Sequence, residues 1–292
     1  MKKTYGKIVK IDANKRIIYL RRRNRIIELY MQRAMFNQFI KYLIVNHYIV
    51  AYVKERENPA KPYQKYTISD LIKITKNTRR KTVTLFSHDR LSSQTKQFIN
   101  TLKNKLFLDL EMSMHPYHFQ KDFVQEIIQA GYVLVDENDQ VIQKYMAFIK
   151  PARHKKLTKR TLKFLDLSQD DVDKGIEFET FYNHFIQLLN DYQPAVIVWG
   201  KNDHLALNET AEVNDLPAVS ETTRFVNLLN LHKNIFRLKN DLGLLKAYNL
   251  YGHESDDQRH DALEDAQMTM KIFNGFKQYL NEKITVDVSE LM

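Results

Sequence analysis

The octapeptide LFLDLEMS, residues 106–113, constrains the fold more than any other stretch. Leu106, Leu108, Leu110 and Met112 alternate with residues that include Asp109 and Glu111. Successive strand side chains point to opposite faces, so the four apolar residues would share a core face and the two acids the other. Adjacent carboxylates repel, and desolvation strengthens the repulsion. A strand of this kind needs a neutralising partner.

The remaining chain can bury such a strand. Hydrophobic residues make up 43% of 292, enough core for one large domain or two ordinary ones. Cysteine is absent, which excludes disulfides and thiolate metal sites and fits a reducing compartment. The start, MKKTYGKIVKID, has no apolar run of the secretory type. The most apolar window, 39–53, is too short for a membrane span and is broken by Lys41, Asn46 and His47. These features predict a cytoplasmic protein with no membrane partner.

The net charge of +10 is unevenly placed. Residues 1–105 carry 25 Lys and Arg against 6 Asp and Glu, whereas residues 106–292 carry 20 against 29. A basic module joined to an acidic one suits a polyanion holder beside a cation-dependent site, although basic surfaces also serve solubility alone.

In the basic part, YGKIVKI, RIIYL and RIIELYM read as strands, with DANK (12–15) and RRRNR (21–25) as turns. The second turn presents Arg21, Arg22, Arg23 and Arg25 as a candidate nucleic-acid-binding patch. AMFNQFIKYLIV (34–45) has helical spacing, and HYIVAYVKE and KYTISDLIKI follow as strands. The order β-β-β-α-β-β over residues 1–75 resembles the OB-fold, a small barrel that often holds single-stranded nucleic acid. Other small barrels fit the same order. Tyr5, Tyr19, Tyr30 and Phe36 are stacking platforms or core. Residues 76–104 read as a basic connector with a short helix capped by Ser92 or Ser93.

Residues 105–282 read as an α/β domain, with 283–292 as a C-terminal tail. After LFLDLEMS come two antiparallel strands joined at DENDQ, a helix over 178–191 and the fully apolar strand AVIVWG (195–200). KNDHLALNE begins another helix, RFVNLLNL is a strand or a helix, and DLGLLKAYNLYG is a helix with Gly252 beyond its end. Asp261 and Glu264 have capping-box spacing, which starts the last helix at Ala262. Three strands followed by alternating helices and strands make a mixed sheet flanked by helices.

Several acids then gain meaning. Asp203 lies three residues beyond the apolar strand, where sites collect at strand C-terminal ends. Asp265 falls in the first turn of the last helix, and His260 precedes it. Four carboxylates and a histidine, if they converge, make a hard-oxygen site with an adjacent proton acceptor. Mg²⁺ and Mn²⁺ favour such ligands, and two such ions can hold the attacking and leaving oxygens of a phosphodiester. Taken singly, each residue has a plainer role: Asp203 as a helix cap, Asp265 as an acid at a positive helix end, His260 as a loop residue.

The segments FLDLEM (107–112), WGKND (199–203) and HDALEDA (260–266) resemble the three motifs of the DEDDh exonuclease superfamily, which includes RNase T and the proofreading subunit of bacterial DNA polymerase III. The intervening IIQAG, FIKP, KLT and LSQDDVDKGIEF resemble its sporulation-inhibitor-like and histone-mRNA-exonuclease-like branch. The resemblance spans residues 105 to about 280. It implies an RNase H-like fold, two divalent metals (Mg²⁺ or Mn²⁺) and 3′-to-5′ release of nucleoside monophosphates from single-stranded nucleic acid with a free 3′ end, RNA favoured over DNA. It assigns Asp109, Glu111, Asp203 and Asp265 as metal ligands and His260 as general base. Met112 and Ser113 match the stretch that touches the terminal nucleotide. The segment before the histidine, ESDDQR, departs from the small residues many members carry; Asp256 and Asp257 there would raise the His260 pKa or cap a turn. Lys155, Lys156, Lys159 and Arg160 form a charged loop that would decorate the surface or grip phosphates. Two other functions fit the same sequence: a catalytically silent nucleic-acid clamp, and a proofreading partner of a DNA polymerase.

Overall fold

The computed structural model describes residues 2–57, 59–118, 123–238, 240–255 and 260–288. The chain divides into two compact units, Met1–Thr95 and Lys96–Met292.

The first unit follows the alternation of its sequence. Strands β1 (Lys2–Asp12), β2 (Ile17–Arg22) and β3 (Arg25–Tyr30) form an antiparallel meander, followed by helix α1 (Arg33–Phe39) and strands β4 (Tyr48–Glu55), β5 (Tyr66–Asn77) and β6 (Thr82–Ser87). The sheet order is β3-β2-β1-β4-β5-β6, and β3 also pairs in parallel with β5 at Tyr30 and Thr67. Ile8, Ile18, Leu20, Ile49, Ile68 and Ile74 point into one buried cluster, against which α1 lays Phe36 and Phe39. Tyr30 and Phe36 are therefore core, whereas Tyr5 is 54% exposed.

Three local expectations change. The helix expected over 34–45 stops at Phe39 and continues only as a short 3₁₀ turn, Ile40–Tyr42. The segment read as a connector contains β6, whose Thr82, Val83 and Thr84 favour extended backbone. It pairs with β5 around a tight turn in which Thr78 and Lys81 exchange hydrogen bonds, so the charged KNTRRK run is a hairpin tip. Helix α2 (His88–Thr101) starts before the expected serine cap, and Ser93 donates back to the Asp89 carbonyl inside it.

The second unit is mixed α/β. Its strands are β7 (Lys105–Met112), β8 (Ile127–Val135), β9 (Val141–Lys150), β10 (Ile176–Glu177), β11 (Ala195–Val198) and β12 (Phe225–Asn227), in the order β10-β9-β8-β7-β11-β12. β8 runs antiparallel to β7 and β9, while β11 runs parallel to β7 and β12. Helices cover the sheet: α3 (Lys159–Leu165), α4 (Gln169–Asp173), α5 (Phe178–Tyr192), α6 (Asn202–Val213), α7 (Leu228–Phe236), α8 (Leu244–Leu250) and α9 (Ala262–Leu280). Every residue of β8 is buried, as expected for a strand covered on both faces.

The two faces of β7 are occupied as its alternation requires. Leu106, Leu108 and Leu110 join one cluster with Phe181, Phe185 and Leu188 of α5 and Leu207 of α6. Phe107, on the face of the acids, packs edge-on against Phe273 of α9, with ring centroids 5.4 Å apart. RFVNLLNL resolves into both candidates: β12, then α7 capped by the Asn227 side chain. α3 and α4 were not expected; Thr158 caps the first, and Ser168 forms a capping box with Asp171 at the second. The expected tail 283–292 lies partly outside the described residues, from 289 onward.

Candidate active site

Three elements carry the acids to one end of the β7 strand. Asp109 and Glu111 share a face of β7 beside Gly131 and Gln129 of β8, their register partners. A register shift follows Glu111, so the strand ends in a local bulge. Helix α9 lies against this face. An added Cβ on Gly131 would fall 2.2 Å from the Ala262 carbonyl carbon and the Leu263 nitrogen, so only glycine admits the first turn of α9 here.

That first turn is fixed from both sides. The Asp261 carboxylate accepts from the Leu263 and Glu264 amides, so the helix begins at Ala262 as its spacing predicts. The Gln129 side chain donates to Asp261 Oδ2 and accepts from the Ala262 amide, at 2.9 and 3.2 Å. Gln129 is 1% exposed, and it clamps helix to sheet at the level of Glu111. Asp265, one turn later, is thereby directed at the two strand acids.

Asp203 arrives from the other side. It lies in the first turn of α6 and is buried. Its Oδ1 accepts from the Leu110 amide at 3.1 Å, between the two acidic positions of β7. The cap role is thus not the one it plays: α6 has Lys201 as its cap residue, with no side-chain cap bond.

His260 enters with φ +52°, in the left-handed region. Its Nδ1 lies 3.9 Å from Glu111 Oε1 and 3.9 Å from Asp265 Oδ2. Ligand atoms of Glu111, His260 and Asp265 all fall within 4.8 Å of one another. The other face of the imidazole is not bare. Phe164 of α3 stacks on it, with centroids 4.5 Å apart and planes 28° apart, although Phe164 is itself 50% exposed. Asp256 and Asp257 lie outside the described residues.

The acids raise one another's pKa values. Burial, then the charges of Asp203, Asp265, Glu111 and Asp261, hold the Asp109 carboxyl well above the ordinary range. Burial and the Asp265, Asp203 and Asp261 charges raise Glu111 to about 8. Burial, followed by Asp265, raises Asp203 to about 6, against the lowering effect of its backbone hydrogen bonds. An all-oxygen donor set that repels itself is what a hard divalent cation matches, so the residues fit such an ion.

Met112 and Ser113 are placed differently from the acids. Met112 packs against the core cluster. Ser113 is 1% exposed; its Oγ accepts from the Glu126 amide, and its own amide donates to the Glu126 carbonyl. It shapes the loop after β7 and offers no open hydroxyl. Two histidines outside the motifs serve the fold: His232 is buried between the Leu228 carbonyl and the Tyr251 hydroxyl, and His184 bonds Tyr132.

Sequence reasoning missed Gly131, Gln129 and Phe164. The first two carried a signal, a polar residue and a glycine inside an otherwise apolar strand, IIQAGYVLV. Phe164 sits on a seven-residue helix with no periodicity to announce it.

The chain is similar to several known proteins. A family model described as the RNase T exonuclease matches residues 106–273. The probable 3′-5′ exonuclease KapD of Bacillus subtilis (strain 168) is 31% identical over 186 residues, which is 62% of this chain and 90% of KapD. Among solved structures, the nuclease domain of 3′hExo, a DEDDh family member bound to rAMP, superimposes with a TM-score of 0.54 at 16% identity, covering 64% of this chain and 97% of that domain. Cell-death related nuclease 4 gives 0.53 at 21% identity, over 64% of this chain and 67% of its own. At these identities the structural likenesses show the fold alone, a helix-flanked sheet of the RNase H-like exonuclease kind. With a family match over more than half the chain and a relative covered almost end to end, the chain belongs to the RNase T exonuclease family and is a 3′-5′ exonuclease.

Proposed function

We propose that this exonuclease removes nucleoside 5′-monophosphates one at a time from the 3′ end of single-stranded nucleic acid, with two divalent cations, Mg²⁺ or Mn²⁺, at the acid cluster. The observation that carries the reading is the meeting of Glu111, Asp265 and His260 within 4.8 Å, beside an Asp109 whose pKa is raised by burial and by its neighbours' charge. Asp109, Glu111 and Asp265 would hold the ions, with Asp203 contributing from α6. Bound cations supply Lewis-acid stabilisation to the attacking and leaving oxygens of an in-line displacement. His260, with Nδ1 beside Glu111 and Asp265, takes the proton of the attacking water. Phe164 limits the rotation of that imidazole from its far face. A P–O bond forms to water, the P–O3′ bond breaks, and the leaving 3′-oxygen takes a proton from solvent water, so the shortened strand keeps a 3′-hydroxyl. Asp203, bonded to the Leu110 amide, fixes the height of β7 against α6 as charge changes in the site.

The basic first unit is read as an OB-like strand holder. Support comes from the order of its first five strands, with α1 between β3 and β4, and from the parallel pairing of β3 with β5. The β2–β3 turn presents exposed Arg21, Arg23 and Arg25, and the Arg22 guanidinium lies over the exposed Tyr5 ring. Cation and aromatic side by side is the chemistry that holds single strands. RNA over DNA is favoured by the fold's likeness to an exonuclease solved on the histone mRNA stem-loop, at 16% identity.

The test is digestion of matched 3′-labelled RNA and DNA strands with Mg²⁺, Mn²⁺ or EDTA. Monophosphate release that needs the cation is expected, and His260→Ala should lower turnover by about 100-fold or more. Strand binding without any release would leave a nucleic-acid clamp in place of the enzyme. Asp109→Ala retaining full activity would reject the site.

A further inference from the structure

A second recess opens at the N-terminal end of α3 and has chemistry of its own. The chain leaving β7 past Glu111 is tied to α3: the Met114 amide donates to Thr161 Oγ1 at 2.9 Å, and Thr158 Oγ1 donates to the Met114 carbonyl at 3.0 Å. Beyond this tie, Tyr117, Phe123, His154, Lys156, Lys159 and Arg160 line a cavity of about 350 Å³. Its aromatic wall is ordered. The Phe123 ring stacks on His154 at 4.7 Å and 14°, and its centroid lies 4.5 Å from that of the tilted His115 ring. The His154 end is held by Glu126, a fully buried carboxylate that accepts from the Ala152, Arg153 and His154 amides. The Tyr117 ring is 73% exposed beside this wall.

The charge is one-sided. Lys156, Lys159 and Arg160 all line the cavity, and no carboxylate does so among the described residues. An exposed aromatic ring beside cations selects a planar, anionic ligand, and the volume suits one nucleotide and little more.

The distance to the site is set by α3. Lys159 starts that helix and Phe164, five residues on, stacks on His260. Five residues of helix rise roughly 7–8 Å, so cavity and catalytic histidine sit on two ends of one short rod. A strand whose 3′-terminal nucleotide occupies the acid cluster would pass the cavity with its next nucleotides.

We infer that this recess is an upstream subsite of the exonuclease: the exposed Tyr117 ring, beside the Phe123–His154 stack, stacks one base of the single strand, and Lys156, Lys159 and Arg160 hold the phosphates on either side of it. The inference rests on the exonuclease reading of the acid cluster. It makes the enzyme measure length, because a substrate with no nucleotide upstream of the scissile bond cannot use the recess.

The experiment compares the full chain with two variants, Tyr117→Ala and Lys156→Ala/Arg160→Ala. Substrates are thymidine 5′-(p-nitrophenyl phosphate), which has no upstream nucleotide, then a dinucleotide and a tetranucleotide. In the wild type, KM should fall from the ester to the tetranucleotide. Each variant should raise KM for the tetranucleotide about tenfold, relative to its KM for the ester, with kcat changed less than about twofold. The double variant should also flatten the salt dependence of tetranucleotide binding in EDTA, by roughly 0.7 in log–log slope for each phosphate no longer neutralised. Equal KM ratios and equal slopes in wild type and variants would overturn the subsite, as would a kcat loss of the same size on ester and tetranucleotide. Should the wild type cleave nothing with either cation, the exonuclease reading fails instead; binding in EDTA then decides the recess, supporting it if the variants bind more weakly and overturning it if they do not.

Discussion

Replacing Glu111 by glutamine should stabilise the cation-free protein, because the folded site works against itself. Burial and the charges of Asp265, Asp203 and Asp261 raise this carboxyl from its ordinary 4.5 to about 8. A group whose folded pKa is raised contributes its full stability below the unfolded value and loses it as pH climbs through the folded one. The window here is therefore about pH 4.5 to 8. At ~1.36 kcal/mol per tenfold step in proton affinity, the loss across it is about 5 kcal/mol. Glutamine keeps the shape and never takes the charge. With part of the gain lost to imperfect amide hydrogen bonding, the variant should exceed wild type by about 2–4 kcal/mol above pH 8, a Tm increase of ~5–10 °C for a unit of this size. Below pH 4.5, where the wild-type carboxyl is protonated, only that hydrogen-bonding loss remains, and the variant should melt slightly below wild type. The assay is thermal or urea denaturation in EDTA at pH 4.5, 6.5 and 8.5. Saturating Mg²⁺ should then raise the wild type far more than the variant, since an ion that binds only the folded state adds stability by mass action. A variant that melts at or below wild type at pH 8.5 in EDTA would refute the premise that the acids are held together against their mutual repulsion.

Three further outcomes follow from the same geometry. Gly131→Ala drives a methyl to 2.2 Å from the first turn of α9, so it should cost about 1–3 kcal/mol or more and displace Asp265, seen as a lower Tm together with weaker cation stabilisation; an alanine variant with native Tm and activity would mean that α9 does not depend on this approach. Phe164→Ala frees one face of the His260 ring and should lower kcat by about tenfold through loss of orientation, while leaving the Mg²⁺-induced Tm shift intact; a change confined to KM would assign the ring to substrate instead. Replacing Arg21, Arg23 and Arg25 by alanine in the full chain should weaken long strands and reduce the salt slope by up to roughly 2, at about 0.7 per phosphate neutralised. An unchanged slope would return that turn to the role of a solubilising surface.

The acids were legible in the sequence because each is written in a local code. The alternation of LFLDLEMS places Asp109 and Glu111 on one face, and the cap spacing of Asp261 starts α9 where Asp265 falls in its first turn. What spacing cannot encode is how closely two elements approach. Convergence needs α9 seated directly on β8, and the residues that allow it, Gly131 and Gln129, are conspicuous only as interruptions of an apolar strand. α3 shows the other limit. At seven residues it is too short to display an apolar period, yet its two ends hold Phe164 against His260 and Lys159 at the neighbouring recess. β6 was hidden for a related reason, since its charged hairpin tip KNTRRK outweighed the β-branched residues that follow. The long-period elements thus deliver the carboxylates, and short, irregular pieces between motifs set His260 beside them. A site of this design can keep its acids while its intervening helices vary, and the recess beside α3 is where such variation would alter which strands are cut without altering how.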